Sequence, residues 1–317
     1  MRAATIQDGK IAVAEHPDPQ PGPGEVLVRV RAAGLNGADQ MQLAGYYPPP
    51  PGSGVPADIP GLELAGEVAG VGPHAPRFSP GDRVMAIAAG AGQAELAVLH
   101  ERQLMPVPDR LSWPEAGGFP EVFMTAYDAI FGQGRLQAGE TLLVHGAAGG
   151  VGTAAVQLGA TAGARVVATV RNPDSRDPVA ALGADLVIAP ESFGEHGPFD
   201  VILELVGAVN LAENVGSLAT RGRIVLIGMG AGATAELNLG MLMGNRGRIS
   251  ASMLRARPLE EKAVLARRVE KHVLPLVAAG RIKVPVAATF PVDDAAAAYD
   301  QFKAGGKVGK IVLTMAG

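Results

Sequence analysis

Thr141-Leu142-Leu143-Val144-His145-Gly146-Ala147-Ala148-Gly149-Gly150-Val151-Gly152 is the stretch that decides the fold. Its apolar start reads as a buried strand, a glycine-rich turn follows, and the run from Val151 through Ala154 and Ala155 opens a helix. In that setting Ala147, Gly149 and Gly152 fill the three key places of an A-x-G-x-x-G dinucleotide fingerprint. Gly149 lets the backbone approach a pyrophosphate, and Gly152 lets the helix pack close to the strand. The first helical turn, Gly150 and Val151, offers free N–H groups and the positive end of the helix dipole. Strand, loop and helix together predict a doubly wound parallel sheet of the Rossmann type.

Downstream, strand and helix alternate, the pattern of a parallel sheet covered on both faces. Strands are expected over Arg165–Val170, Leu186–Ile188, Val201–Leu205, Ile224–Ile227 and Arg248–Leu254, with helices starting near Val151, Asp177 and Asn210. NAD-binding domains place an acid at the tip of the second strand to hold the ribose 2′-hydroxyl. Here the strand ends in Val170, about 18 residues past the last glycine of the loop, with no acid at its tip. Arg171 and Arg176 follow as candidate ligands of a 2′-phosphate, so the expected cofactor is NADPH.

Upstream, Glu25–Arg31, Leu64–Val71 and Arg83–Ile87 are short β-like runs between turns rich in Gly and Pro. Pro48 to Pro51 cannot join a helix or a central strand, so Tyr46–Pro56 must be an ordered loop or flap. Toward the C-terminus a long helix, Pro258–Ala279, leads to strands at Val284–Phe290 and Lys310–Thr314. The expected architecture is α/β, with residues 121–255 as the Rossmann domain. It is inserted into a β-rich domain of residues 1–120 completed by 256–317.

The 317 residues include no cysteine, which excludes disulfides, thiolate metal sites and a cysteine nucleophile. A net charge of −4 with scattered lysines and arginines offers no basic stripe for nucleic acid. Met1–Lys10 lacks the apolar core of a signal peptide, so a cytoplasmic location is expected. Thr141–Ala164 has no charged residue, but its glycines and strand-like start argue against a membrane span. The alternating run Arg248–Met253 would leave an open sheet edge that a second copy could extend, and a homodimer is expected.

Several further motifs, in order, resemble the quinone oxidoreductase family, the zinc-lacking, zeta-crystallin-like branch of the medium-chain dehydrogenases/reductases. They are Gly34-Leu35-Asn36-Gly37-Ala38-Asp39, Gly45-Tyr46-Tyr47-Pro48, Gly61-Leu62-Glu63-Leu64-Ala65-Gly66, Gly81-Asp82-Arg83-Val84, the glycine loop, Gly222-Arg223-Ile224-Val225 and Gly309-Lys310-Ile311-Val312-Leu313. The resemblance covers essentially the whole chain and implies a GroES-like β domain joined to the Rossmann domain. Zinc-dependent relatives hold the metal with a cysteine, a histidine and a cysteine. Asn36, Leu62 and Glu121 stand at those places here, so no metal site is expected.

The resemblance also implies an NADPH-dependent reductase of a small quinone. The alternatives are a reductase of enone or 2-alkenal double bonds and a protein that binds NADPH without turnover. It places Asn36 and Tyr47 at the catalytic centre, with Tyr47 donating a hydrogen bond to a substrate oxygen. Cofactor contacts carried over are Thr125, Gly228 and Met229 near the nicotinamide, Gly207 near the adenosine and Lys310 near the phosphates. Some relatives carry another tyrosine where this chain has Met41, so a mechanism that uses it does not transfer.

Overall fold

A computed structural model describes residues 1–315 of the chain. It divides into two compact units, one of residues 1–124, 254–305 and 310 onward, the other of residues 125–253 and 306–309. Positions 316 and 317, the end of the expected second segment of the β domain, lie outside the described residues.

The second unit holds six parallel strands in the spatial order Leu186–Ile188, Arg165–Thr169, Thr141–Val144, Phe199–Glu204, Leu218–Leu226 and Arg248–Ala251. In chain order this is 3-2-1-4-5-6, the Rossmann arrangement, whose switch point lies between the first and fourth strands. The strands are near-continuous apolar runs because helices cover both faces. Leu143, Val167, Phe199, Ile202, Val215 and Ile224 meet in the core. The strand expected from Ile224 begins at Leu218, because Phe199 already pairs with Leu218 ahead of a register shift. The polar run Thr220-Arg221-Gly222 hides this extension. The last strand stops at Ala251 rather than Leu254, since its ladder partner Leu226 is the end of the neighbouring strand.

The first unit is built on a seven-stranded sheet in the order Val286–Pro291, Lys310–Thr314, Glu25–Gly34, Glu63–Val71, Arg83–Ile87 and Met105–Pro106, with Leu96–His100 also paired to Glu25–Gly34. Arg2–Gln7 and Lys10–Glu15 form a separate hairpin. Val26, Val28, Val30, Leu64, Val84, Ile311 and Leu313 supply much of its core. The C-terminal strand matters most for the chemistry below. Val312 pairs with Gly34, and the Leu35 N–H donates to the Ile311 carbonyl at 2.9 Å, so Lys310 is carried to the segment that bears Asn36.

The helix expected over Pro258–Ala279 is two, Leu259–His272 and Leu274–Ala278. Pro275 has no N–H to continue the ladder and crowds the preceding turn, so the break falls at Val273. An alanine-rich helix, Ala295–Ala304, was not expected and packs Ala295, Ala298 and Tyr299 into the core. Among the described residues no helix is long and apolar enough to cross a membrane.

Candidate functional site

Within the second unit, the glycine loop leaves the strand Thr141–Val144 and enters a helix at Gly150–Thr161, with Gly149 as its extended N-cap. A Cβ on Gly152 would lie 2.6 Å from the Ala147 Cα, closer than any side chain can approach, so the helix sits on the loop only because this residue is glycine. Ala147 is buried, its N–H donating to the Thr169 carbonyl at 3.1 Å, whereas Gly149, Gly150 and Val151 keep accessible surface. Thr125, in the same unit, is 7% exposed and its hydroxyl has no hydrogen-bond partner among the described residues. A buried hydroxyl without a partner is costly, and a bound polar ligand would remove that cost.

The sheet's switch point holds a buried polar network that sequence reasoning missed. Glu204 ends the fourth strand fully buried, and its Oε1 accepts from the N–H groups of Val206 and Gly207 at 2.7 and 2.9 Å. Its Oε2 accepts from the Asn210 and Asn214 amides at 3.1 and 2.8 Å. With its NH2 committed to Glu204, Asn214 offers Oδ1 to His145 Nε2 at 2.8 Å, while the Thr169 hydroxyl meets Nδ1 at 3.1 Å. This places the ring proton on Nε2. Burial holds His145 below the usual histidine range despite Glu204 and Asn214, so the ring stays neutral and structural. The carboxylate thereby fixes the turn that carries Gly207, whose φ of 131° favours glycine. Gly228 is partly accessible and Met229 is 56% exposed. At the second strand's tip Arg171 is exposed, and Arg176 is half-buried with Nε 3.3 Å from the Val170 carbonyl.

Within the first unit, Asn36 caps the helix Gly37–Leu43 and is 9% exposed. Its Nδ2 donates to Glu63 Oε1 at 3.0 Å, and its Oδ1 accepts from Lys310 Nζ at 2.7 Å. Lys310 Nζ also reaches Glu63 Oε1 at 2.6 Å and the Leu35 carbonyl at 2.7 Å. All three ammonium hydrogens are thus engaged within the first unit. Here Lys310 neutralises Glu63 and orients Asn36.

Asp39 accepts from the Asn36 and Gly61 N–H groups at 2.8 and 3.1 Å. Its burial nevertheless pushes the carboxyl up to about 6. Glu121 lies in the first turn of the helix Pro120–Tyr127, and its N–H donates to Glu63 Oε2 at 2.8 Å. Desolvation, then Glu63, pushes the Glu121 carboxyl up to about 8, although the residue keeps some accessible surface. The carboxyl itself is crowded by Glu63 and Asp39, the accessible surface being that of the residue as a whole.

Tyr47 lies on the proline-rich flap, held from beneath by Arg255. The Arg255 guanidinium is 5.0 Å from the Tyr47 ring centroid and donates to the Tyr47 carbonyl, the Ala89 carbonyl and Gln42 Oε1, each at 2.7 Å. Burial and then Glu121 raise the Tyr47 phenol above its usual range, partly offset by Arg255. It is a hydrogen-bond donor at neutral pH and a poorer acid than a free phenol.

Comparison with known proteins bears on both units. Residues 22–131 match the alcohol dehydrogenase GroES-like domain, and residues 150–270 match the zinc-binding dehydrogenase family. The acryloyl-coenzyme A reductase of Metallosphaera sedula is 32% identical over 99% of this chain and 100% of its own length. The quinone oxidoreductase of Sus scrofa is 29% identical over 94% of this chain and 91% of its own. A mycobacterial quinone oxidoreductase structure superposes with a TM-score of 0.85 at 28% identity, covering 99% of each chain. The chain also matches the polyketide synthase protein NorB of Streptomyces orinoci at 35% identity over 98% of its own length, but spans only 14% of that protein. The chain belongs to the medium-chain dehydrogenase/reductase superfamily. It is an oxidoreductase of that superfamily, whose members include nicotinamide-dependent enzymes, and it is similar to the superfamily's quinone oxidoreductases.

The zinc implied by one family description does not fit this chain. Leu62 is buried and has no donor atom, and both ends of the Asn36 amide are engaged by Lys310 and Glu63. Among the described residues no group of three or more His, Cys, Asp or Glu is placed to hold a metal ion. The dinucleotide does fit, on the open space at Gly149, where an added Cβ would meet only the Gly146 carbonyl at 3.4 Å, and on the unpartnered Thr125 hydroxyl.

Proposed function

We propose that this protein is an NADPH-dependent, zinc-independent reductase of small conjugated carbonyl compounds, with quinones as the leading substrate class. Ala147, Gly149, Gly150, Val151 and Gly152 would hold the pyrophosphate, Arg171 and Arg176 the 2′-phosphate, Gly207 the adenosine end, and Thr125, Gly228 and Met229 the nicotinamide. When bound, the cofactor supplies the hydride.

The observation that carries this reading is Asn36 locked between Lys310 and Glu63, at the place where zinc-dependent relatives hold metal. Alcohol oxidation requires an alkoxide to be stabilised before it yields hydride, and Asn36, Leu62 and Glu121 supply no Lewis acid for that. A quinone disperses the added charge by itself. Holding the ring in place is then the main task, assigned to the Tyr47 hydroxyl as a donor to a substrate oxygen, with Asn36 shaping the centre rather than donating, since its amide hydrogens go to Glu63 and the Gly34 carbonyl.

A second reading, reduction of a double bond conjugated to a carbonyl, is supported by the likeness to the acryloyl-coenzyme A reductase along both chains' full length. Competing a quinone against an enone and a 2-alkenoyl thioester, with NADPH as donor, separates the two. A higher kcat/KM for the quinone supports the leading reading, a higher value for the unsaturated compounds the second, and no oxidation with any of them contradicts both. A homodimer built on the edge strand Arg248–Ala251 is supported by exposed Leu239, Met241 and Met243 nearby in sequence. Sedimentation equilibrium tests it: a monomer mass would refute it.

A further inference from the structure

Three carboxyl groups and one ammonium gather in the first unit, and hydrogen bonding treats the carboxyls unequally. Glu63 accepts from Lys310 Nζ, Asn36 Nδ2 and the Glu121 N–H, at 2.6, 3.0 and 2.8 Å. Asp39 accepts from two backbone N–H groups, with Gln93 Nε2 3.5 Å away. Both have donors to stabilise an ionised form. The Glu121 carboxyl receives no hydrogen bond among the described residues. Only its backbone N–H serves the cluster.

Charge points the same way. The charged and titratable groups that act on Glu121 are Glu63, Lys310, Asp39, Arg255, Lys262 and Tyr47. Lys310 is committed to Glu63 and Asn36, and the Arg255 guanidinium to three neutral oxygens. None of the three cations bonds the Glu121 carboxyl among the described residues, and two further carboxyls crowd it. An ionised carboxylate there would be desolvated without a partner, so the neutral acid is the form the site favours. The alternatives for a proton source are poorer. Lys310 has no free hydrogen, Asp39 is 1% exposed, and Tyr47 is a weaker acid than a free phenol. Glu121 combines a carboxyl that accepts no hydrogen bond among the described residues with a residue that is not fully buried.

We propose that Glu121 is a catalytic acid, retaining its proton until the acceptor has taken up hydride and then donating it. The role rests on the reductase reading above. Hydride addition forms one new C–H or O–H bond and pushes the acceptor's π electron pair onto the conjugated oxygen or α-carbon. The Glu121 O–H bond then breaks, its proton makes the second new bond, and the electron pair stays on the carboxylate. Solvent returns the proton after product leaves. Burial and the neighbouring Glu63 hold this carboxyl at about 8, well placed for donation at neutral pH.

Two measurements on the full chain test the proposal. Difference infrared spectroscopy from about pH 6 to about pH 10 should show a protonated-carboxyl band lost with a midpoint near 8. The band should be absent in Glu121→Gln, and it is separable from Asp39, whose midpoint is near 6. With whichever acceptor the wild type reduces, kcat should fall as pH rises through about 8. Glu121→Gln should lower the neutral-pH kcat by roughly tenfold to a hundredfold and abolish that fall, with the KM for NADPH little changed. Glu121→Asp should recover part of the loss. A missing band overturns the protonated Glu121 whether or not the enzyme turns over, and wild-type rate and pH profile in Glu121→Gln overturn its donation. A wild type inactive with every acceptor sinks the functional reading and the transfer step with it, while the infrared band still reports the proton.

Discussion

Lys310 Nζ lies 2.6 Å from Glu63 Oε1, with the two side chains 4% and 0% exposed. An ion pair so buried is costly to break from one side, because the remaining charge is stranded without solvent. Lys310→Met and Glu63→Gln should each lower the unfolding free energy by about 3–5 kcal/mol in chemical denaturation. The double variant should recover much of that loss. Single variants within about 1 kcal/mol of wild type would show that the pair is not a structural determinant.

Stability should fall as pH rises from about 5 to about 8. Glu121 is raised from 4.5 to about 8 and Asp39 from 3.8 to about 6, so in this window the folded state binds more protons than the unfolded one. The contribution is present below the unfolded values and lost as pH rises through the folded ones, with upper limits of about 5 kcal/mol from Glu121 and about 3 kcal/mol from Asp39. Denaturation midpoints measured across this range should decline, and Glu121→Gln should flatten the upper part of the decline. A midpoint that rises toward pH 8 would contradict the raised values.

The parallel sheet was legible because its strands are apolar runs ending in polar, proline- or glycine-containing turns, and the glycine loop stood in its proper place between strand and helix. The Glu204–Asn214–His145 network was not, since nothing in the spacing of Asn210 and Asn214 says that they converge on a strand-end carboxylate. The same holds for the cluster around Asn36. Asp39 and Glu63 fell inside motifs quoted for family likeness, yet their meeting with Lys310 depends on the C-terminal strand pairing beside Glu25–Gly34. A contact more than two hundred residues apart leaves no periodic trace in a single sequence. Arg255, which steadies the Tyr47 flap through a carbonyl and a ring face, is invisible for the same reason.

Replacing Arg171 and Arg176 together with alanine should raise the KM for NADPH by tenfold or more and leave that for NADH within about twofold, since charge-assisted hydrogen bonds to one phosphate contribute about 1.5–3 kcal/mol each. Steady-state kinetics with both cofactors decides it. Equal changes for the two would remove these arginines from the 2′-phosphate.

Glu204→Ala should orphan the Val206 and Gly207 N–H groups and the Asn214 amide. A loss of about 3 kcal/mol or more in stability is expected, with weaker dinucleotide binding by isothermal calorimetry as the Gly207 turn loosens. Unchanged affinity in a folded variant would separate this network from the nucleotide site.

The central claim is reduction of a conjugated carbonyl acceptor with no metal. Its most direct test is the rate of NADPH oxidation by chelator-treated, metal-analysed protein with an ortho- or para-quinone, set against NADP⁺ reduction with simple alcohols. The account predicts full quinone-dependent turnover without zinc and negligible alcohol oxidation. One zinc per chain lost together with activity, or efficient alcohol oxidation, would contradict it.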